Sequence, residues 1–135
     1  MLSRLQSEQQ LLESAFEGVQ FVAREGENWF LLPHYVLPPG WRRGTDAARE
    51  CPIAFLVGPS HPTGEPYAFF APSDLNFEGN VPNNVAEGEQ PPFGGKWVKF
   101  SWAPDQDWRP VATIENGSNL LHWARSFRRR FEEGI

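Results

Sequence analysis

Asp107-Trp108-Arg109-Pro110, followed by Val111-Ala112-Thr113-Ile114, is the stretch on which the reading of this chain turns. A tryptophan, one residue, a proline and a short extended run ending in Thr-Ile lead directly into a strongly patterned segment. In that segment Leu120, Ala124, Phe127 and Phe131 recur at helical spacing, with Leu121 and Trp123 at the margins, so a helix is expected from about Gly117 to Glu133. Ser118 or Asn116 would cap it. Arg125, Arg128 and Arg129 fall on its outer side, where arginines near a C-terminal end also suit the helix dipole. Arg130 completes a cluster of cations in the sequence, for which a solvated helix face is the simplest reading.

Upstream, the residues from Pro72 to Gln106 are rich in proline, glycine and asparagine, and the period breaks down. A long irregular segment inside one domain is usually functional or disordered. This one also carries Phe77, Phe93, Trp97, Phe100 and Trp102, so parts of it should pack onto the domain, and Trp97 to Trp102 alternates like a short strand.

The first half of the chain is more regular. Leu5, Leu12 and Phe16 share a helical face, with Leu2, Leu11 and Ala15 beside it, which predicts a helix from about Ser3 to Glu17 ending at Gly18. Ser7 with Gln10 offers a capping box that would start it later. Val19 to Arg24 alternates as a half-buried strand, Glu25 to Asn28 is a turn, and Trp29 to Leu32 returns, continuing to Val36 despite Pro33. Leu37 to Trp41 interrupts the sheet, and Thr45 to Arg49 can form a helical turn. Ile53 to Val57 is the most apolar run and predicts a central strand. Gly58-Pro59-Ser60-His61-Pro62-Thr63-Gly64-Glu65-Pro66 is a loop by composition, and Tyr67 to Ala71 forms a fourth strand. The expected architecture is therefore α+β: an N-terminal helix, a four-stranded antiparallel meander, a long irregular loop and a C-terminal helix, in a single domain over 1–135.

Composition narrows the function. With 40% apolar and 21% charged residues in 135, the chain is expected to form one globular core. No apolar run is long enough to cross a bilayer and the polar N-terminus lacks a secretory pattern, so no membrane association and a cytoplasmic location are expected. A net charge of −5 argues against binding nucleic acid through overall electrostatics. The lone Cys51 excludes an internal disulfide, and His34, His61 and His122 share no ligand spacing, so neither metal nor cofactor is expected.

Taken together, these residues resemble the ubiquitin-conjugating (UBC) fold. Gly58 to Pro66 is similar to that family's proline-rich linker between the third and fourth strands, Asp107 to Pro110 with Thr113-Ile114 to its Trp-Ser-Pro…Thr-Ile segment, and Leu120 onward to the following helix. The nearest likeness is to a compact bacterial branch, the prokaryotic type E group, whose Leu-Pro-Pro-Gly, Phe-Ser-Trp and Trp-x-Pro motifs correspond to Leu37 to Gly40, Phe100 to Trp102 and Trp108 to Pro110. The resemblance spans roughly Val19 to Phe131. It implies a component of a bacterial ubiquitin-like conjugation or polymer system, with a ubiquitin-like protein, an activating-enzyme-like protein or a JAB-type peptidase as partner.

A conjugating enzyme of this kind needs a cysteine nucleophile shortly before the Trp-x-Pro tryptophan. Here that register holds Lys99-Phe100-Ser101-Trp102, without a cysteine. Cys51 precedes an apolar strand elsewhere. His61-Pro62-Thr63 matches part of the family's His-Pro-Asn tripeptide in letters but lies in the earlier loop, and Asn83 and Asn84 are far upstream for an oxyanion role. Ser101 as nucleophile would need a base, for which Asp105 and Asp107 are poor substitutes for histidine. The expectation is thus a non-catalytic UBC-like adaptor that binds through the former active-site loop, by Phe93, Trp97, Phe100, Ser101 and Trp102. The alternative is an acyl-transfer enzyme with an unrecognised nucleophile, and a third reading is an unrelated α+β binding domain. Of the six tryptophans, Trp29, Trp108 and Trp123 are expected in the core or its seams. For Trp41, Trp97 and Trp102, packing and partner binding are both open.

Overall fold

The computed structural model describes residues 2–103 and 108–135. Its N-terminal helix α1 runs Arg4–Ala15 and is capped by Ser3, whose side chain accepts from the Gln6 amide while Gln6 reaches back to the Ser3 amide. This Ser3–Gln6 box, and not Ser7–Gln10, sets the start, because it lets Leu5, Leu11 and Leu12 face the sheet together.

Nine strands follow among the described residues: β1 Gln20–Arg24, β2 Glu27–Val36, β3 Trp41–Arg43, β4 Asp46–Ala47, β5 Glu50–Val57, β6 Phe69–Pro72, β7 Leu75–Phe77, β8 Val85–Ala86 and β9 Trp97–Phe100. The main sheet is antiparallel with the order β1-β2-β5-β6-β9-β8, and β4-β3-β7 form a small second sheet. The turn between β1 and β2 is tighter than expected, only Glu25-Gly26, both at positive φ (50° and 81°) as a hairpin of this hand requires. Pro33 falls where the β2–β5 register shifts between Leu32 and Tyr35, so the strand passes the proline by an irregularity.

Two expectations are corrected. Thr45 to Arg49 is not a helical turn: Gly44 at φ 61° reverses the chain and Asp46–Ala47 pairs with Arg42 and Arg43. The segment 72–106 is not irregular throughout, since it supplies β7, β8 and β9. β9 is an interior strand, pairing Phe100 with Phe69 and Trp97 with Pro72 on one side and Lys99 with Ala86 on the other, so the main sheet has six strands and not four. The prolines and glycines lie between these short strands, where no ladder hydrogen bond is required of them.

Alternation along the strands builds two cores. Phe30, Leu32, Ile53, Phe55, Phe69, Ala71 and Phe100 project to one face, and Trp29, Leu31, Ala54, Phe70 and Trp97 to the other. The first face is covered by α1 and by the C-terminal helix α2, Leu120–Glu133, whose Leu120, Leu121, Trp123, Ala124, Phe127 and Phe131 are all buried. The second face is closed by Trp97 itself and by the half-buried Phe93. Helix α2 is capped by Asn119, which accepts from the His122 amide, and begins three residues later than expected because Ile114–Asn116 form a separate 3-10 turn. Arg130 is not part of an exposed cation cluster. It is 3% exposed, donates to the carbonyls of Gly134 and Asn83 and lies 5.3 Å from the Phe100 ring centre, tying the 83–84 loop to the helix.

Trp41 is also core, 1% exposed, with its indole N–H donating to the Phe131 carbonyl at 2.9 Å. No described helix is long and apolar enough to cross a membrane.

Candidate functional site

Helix α1, the 58–66 loop and the first turn of α2 meet on one buried side chain. Glu8 occupies the middle of the α1 stripe, three residues after Leu5 and four before Leu12, and is fully buried. One carboxylate oxygen accepts from the Leu120 amide at 3.0 Å, satisfying one of the orphan donors in the first turn of α2, where negative charge is favoured. The other faces His61 Nε2 and the Arg4 guanidinium, the latter at 3.4 Å. Arg4 in turn donates to the carbonyls of Val111 and Ser118.

The Trp108-Arg109-Pro110 segment closes on this junction. The Arg109 amide donates to the Ser118 hydroxyl at 2.8 Å, and the Ser118 amide donates to the Arg109 carbonyl at 3.0 Å, making residues 109–118 a closed loop. Gly117 permits that closure: a Cβ there would lie 2.6 Å from the Arg109 carbonyl oxygen. The Trp108 indole donates to the Pro62 carbonyl, and its ring centre is 6.2 Å from that of His61. The opening stretch is therefore a structural joint held from both sides. Asp107 lies outside the described residues.

Beside the joint is a cleft of about 160 Å³ on the second face of the sheet, lined among others by Ser60, His61, Glu65, Tyr67, Phe70 and Lys99. The Lys99 ammonium lies 5.9 Å from the Tyr67 ring centre and 6.0 Å from that of Phe70. Glu89, also on the cleft, has its carboxyl held above the usual range, first by desolvation and then by Glu27 beside it. His61 lines the cleft and is paired behind it with the buried Glu8, which is the arrangement of a positioned base. Here Glu8 also holds the Leu120 amide and Arg4, so the pair joins three segments rather than facing a nucleophile.

The five loop residues named from the sequence do not form one surface. Phe93 and Trp97 lie on the second face of the sheet, with Trp97 5% exposed and its indole donating to the Gly94 carbonyl. Phe100 belongs to the main core and is fully buried, stacked on Phe69 at 5.1 Å, so it presents nothing to a partner. The strand period separates them, since three positions apart on β9 means opposite faces. Ser101 is exposed, and its hydroxyl has no hydrogen-bond partner among the described residues. Trp102 is half-buried; its indole donates to Ser126 and its ring lies 5.7 Å from the Arg129 guanidinium. Ser101 is thus exposed and Trp102 half-buried beside α2, while Phe93, also half-buried, keeps its exposure on the other face of the sheet. Asp105, weighed as a base for Ser101, lies outside the described residues, as does Asp107.

Sequence distance misled in one respect. Asn84, seventeen positions before Ser101 in the chain, is brought beside it, because the Ser101 amide donates to the Asn84 carbonyl at 2.9 Å. The contact is made by an acceptor and not by the side-chain amide, so it supplies no oxyanion donor. Cys51 is 2% exposed, and desolvation pushes its thiol up to about 12. Glu8 was missed altogether, although a glutamate centred in an apolar helical stripe is itself a signal. No protein-family model, curated protein or solved structure matches this chain.

Proposed function

We propose that this chain is a UBC-like module of a bacterial ubiquitin-like system that binds its partners without forming a thioester, serving as an adaptor for a ubiquitin-like protein, an activating-enzyme-like protein or a JAB-type peptidase. The observation that carries the reading is the state of the thiol. The chain's one cysteine is sealed in the sheet and stays protonated far above neutral pH, whereas an acceptor of an activated C-terminus must be an accessible thiolate. At the register where the family resemblance puts the nucleophile stands Ser101, exposed and without a described hydrogen-bond partner to draw off its proton.

The UBC-like part of the reading is supported by layout. A helix precedes the neighbouring antiparallel strands β1, β2, β5 and β6, the loop 58–66 follows the third of these, and the Trp-x-Pro segment docks against that loop before α2 crosses the sheet. The exposed rim around Ser101, Trp102 and Arg129 is where the partner would sit.

The test is intact-mass spectrometry of the full chain after incubation with a purified bacterial activating enzyme, its ubiquitin-like protein and ATP. The proposed function requires an unchanged mass, both before and after hydroxylamine. A covalent adduct mapped to Ser101 or Cys51 overturns it in favour of acyl transfer.

A further inference from the structure

The outer side of α2 adjoins the Ser101 rim at Arg129, but the groove walled by Arg125 and Arg128 is lined by none of the rim residues. Acidic residues outnumber lysines and arginines by 17 to 12 over the whole chain. Yet Arg125, Arg128 and Arg129 all stand exposed on α2. Among the described residues the ion pair these arginines make is weak, since Arg128 meets Glu132 only at 4.0 Å with both side chains more than half exposed, although Glu17 also lines the groove. Among the described residues Arg125 has no ion-pair partner.

Arg125 and Arg128 also form one wall of a groove of about 450 Å³ that runs between the end of α1, β2 and α2. Its floor is aromatic: Phe16, half-buried, stacks on Tyr35 with ring centres 5.6 Å apart. At its lip Val36 is 59% exposed, one of the larger uncovered apolar side chains of the protein. Two guanidiniums over an aromatic floor, beside an uncovered aliphatic side chain, are complementary to carboxylates flanking an apolar residue. The geometry points to this groove as the docking site for a partner-protein segment that carries at least two carboxylates beside one apolar side chain. The inference does not rest on the UBC-like reading, because none of Ser101, Trp102 and Arg129 lines the groove and no ubiquitin-like partner is needed.

Phosphate backbones fit less well. Glu17 lines the groove and Glu132 adjoins the helix patch, which breaks the continuous positive track that a nucleic acid or an anionic membrane would follow.

The experiment selects random 12-residue displayed peptides on the immobilised full chain, then titrates fluorescein-labelled winners by anisotropy. Enrichment of Asp or Glu next to Leu, Ile or Phe is expected, with affinity falling at least tenfold in Arg125→Glu/Arg128→Glu and also falling as salt is raised. Arg125→Gln/Arg128→Gln, which removes charge without reversing it, should fall between wild type and the reversed variant. It keeps the test decisive if the reversed variant melts early. Val36→Asp should weaken the same peptides. The inference is overturned by winners without that composition or by equal binding to all variants. It is equally overturned if the two arginines instead govern binding to phosphatidylserine vesicles, binding to a short DNA duplex, or self-association in sedimentation.

Discussion

Replacing Glu8 by alanine tests the joint at the centre of the fold. The carboxylate is fully buried and holds three groups from three segments: the Leu120 amide, His61 and Arg4. Alanine leaves the Leu120 N–H without its acceptor, a loss of about 1–3 kcal/mol for a buried donor. The His61 side chain is 9% exposed and loses its partner in nearly dry surroundings, whereas Arg4, 21% exposed, can turn partly to water and adds less. The total is about 3–5 kcal/mol, the range for removing one partner of a buried charged network. For a chain of this length that corresponds to a fall in Tm on the order of 10 °C or more. Glu8→Gln keeps the size and one acceptor and should lose less, roughly 1–3 kcal/mol. Glu13→Ala, on the exposed side of the same helix, should stay within about 0.5 kcal/mol of wild type. Urea unfolding followed by tryptophan fluorescence measures all three. A Glu8→Ala midpoint indistinguishable from that of Glu13→Ala would refute the joint.

Three further outcomes follow from the packing. Cys51 in the native chain at pH 8 should react with a thiol reagent only as fast as the protein opens, while the urea-unfolded chain labels at once; rapid native labelling would contradict its burial. Because the Cys51 and Tyr35 protons are both held more tightly in the fold than in the unfolded chain, their stabilisation is fully present below about pH 9 and is lost as pH rises towards 12. The slope approaches about 1.4 kcal/mol per pH unit for each titrating group, and Cys51→Ala should flatten its share in alkaline unfolding curves. Asn119→Ala removes the α2 cap and should cost about 1–2 kcal/mol, read by thermal melting; Asn119→Asp keeps the acceptor for the His122 amide but sets a buried carboxylate against the Ile114 carbonyl, and should not restore wild-type stability.

How far the sequence carried depended on the length of each pattern. Both helices are legible because Leu5/Leu12 and Leu120/Ala124/Phe127/Phe131 repeat over several turns, and β5 because Ile53 to Val57 is uniformly apolar. β9 is four residues long and its paired positions lie 25 to 31 residues earlier in β6 and 13 to 15 earlier in β8, so its interior place in the sheet rests on pairing that no local period records. The same strand decides the candidate site. Phe100 and Trp97 look alike in composition, yet the two-residue alternation sends one under α2 and the other to the opposite face, leaving Ser101 and the half-buried Trp102 at the rim. Glu8 and Arg130 escaped for the opposite reason. A charged side chain on a helix is ordinarily solvated; these two are buried because backbone groups more than forty residues away take up their hydrogen bonds.

The proposed binding without transfer can be measured by titrating the ¹⁵N-labelled full chain with the ubiquitin-like protein of a reconstituted bacterial system and following amide shifts. Binding of this kind gives saturable, reversible shifts centred on Ser101, Trp102 and the neighbouring turn of α2, with the free spectrum restored on dilution. Unmoved spectra at millimolar partner, or shifts that persist because a bond has formed, would contradict it.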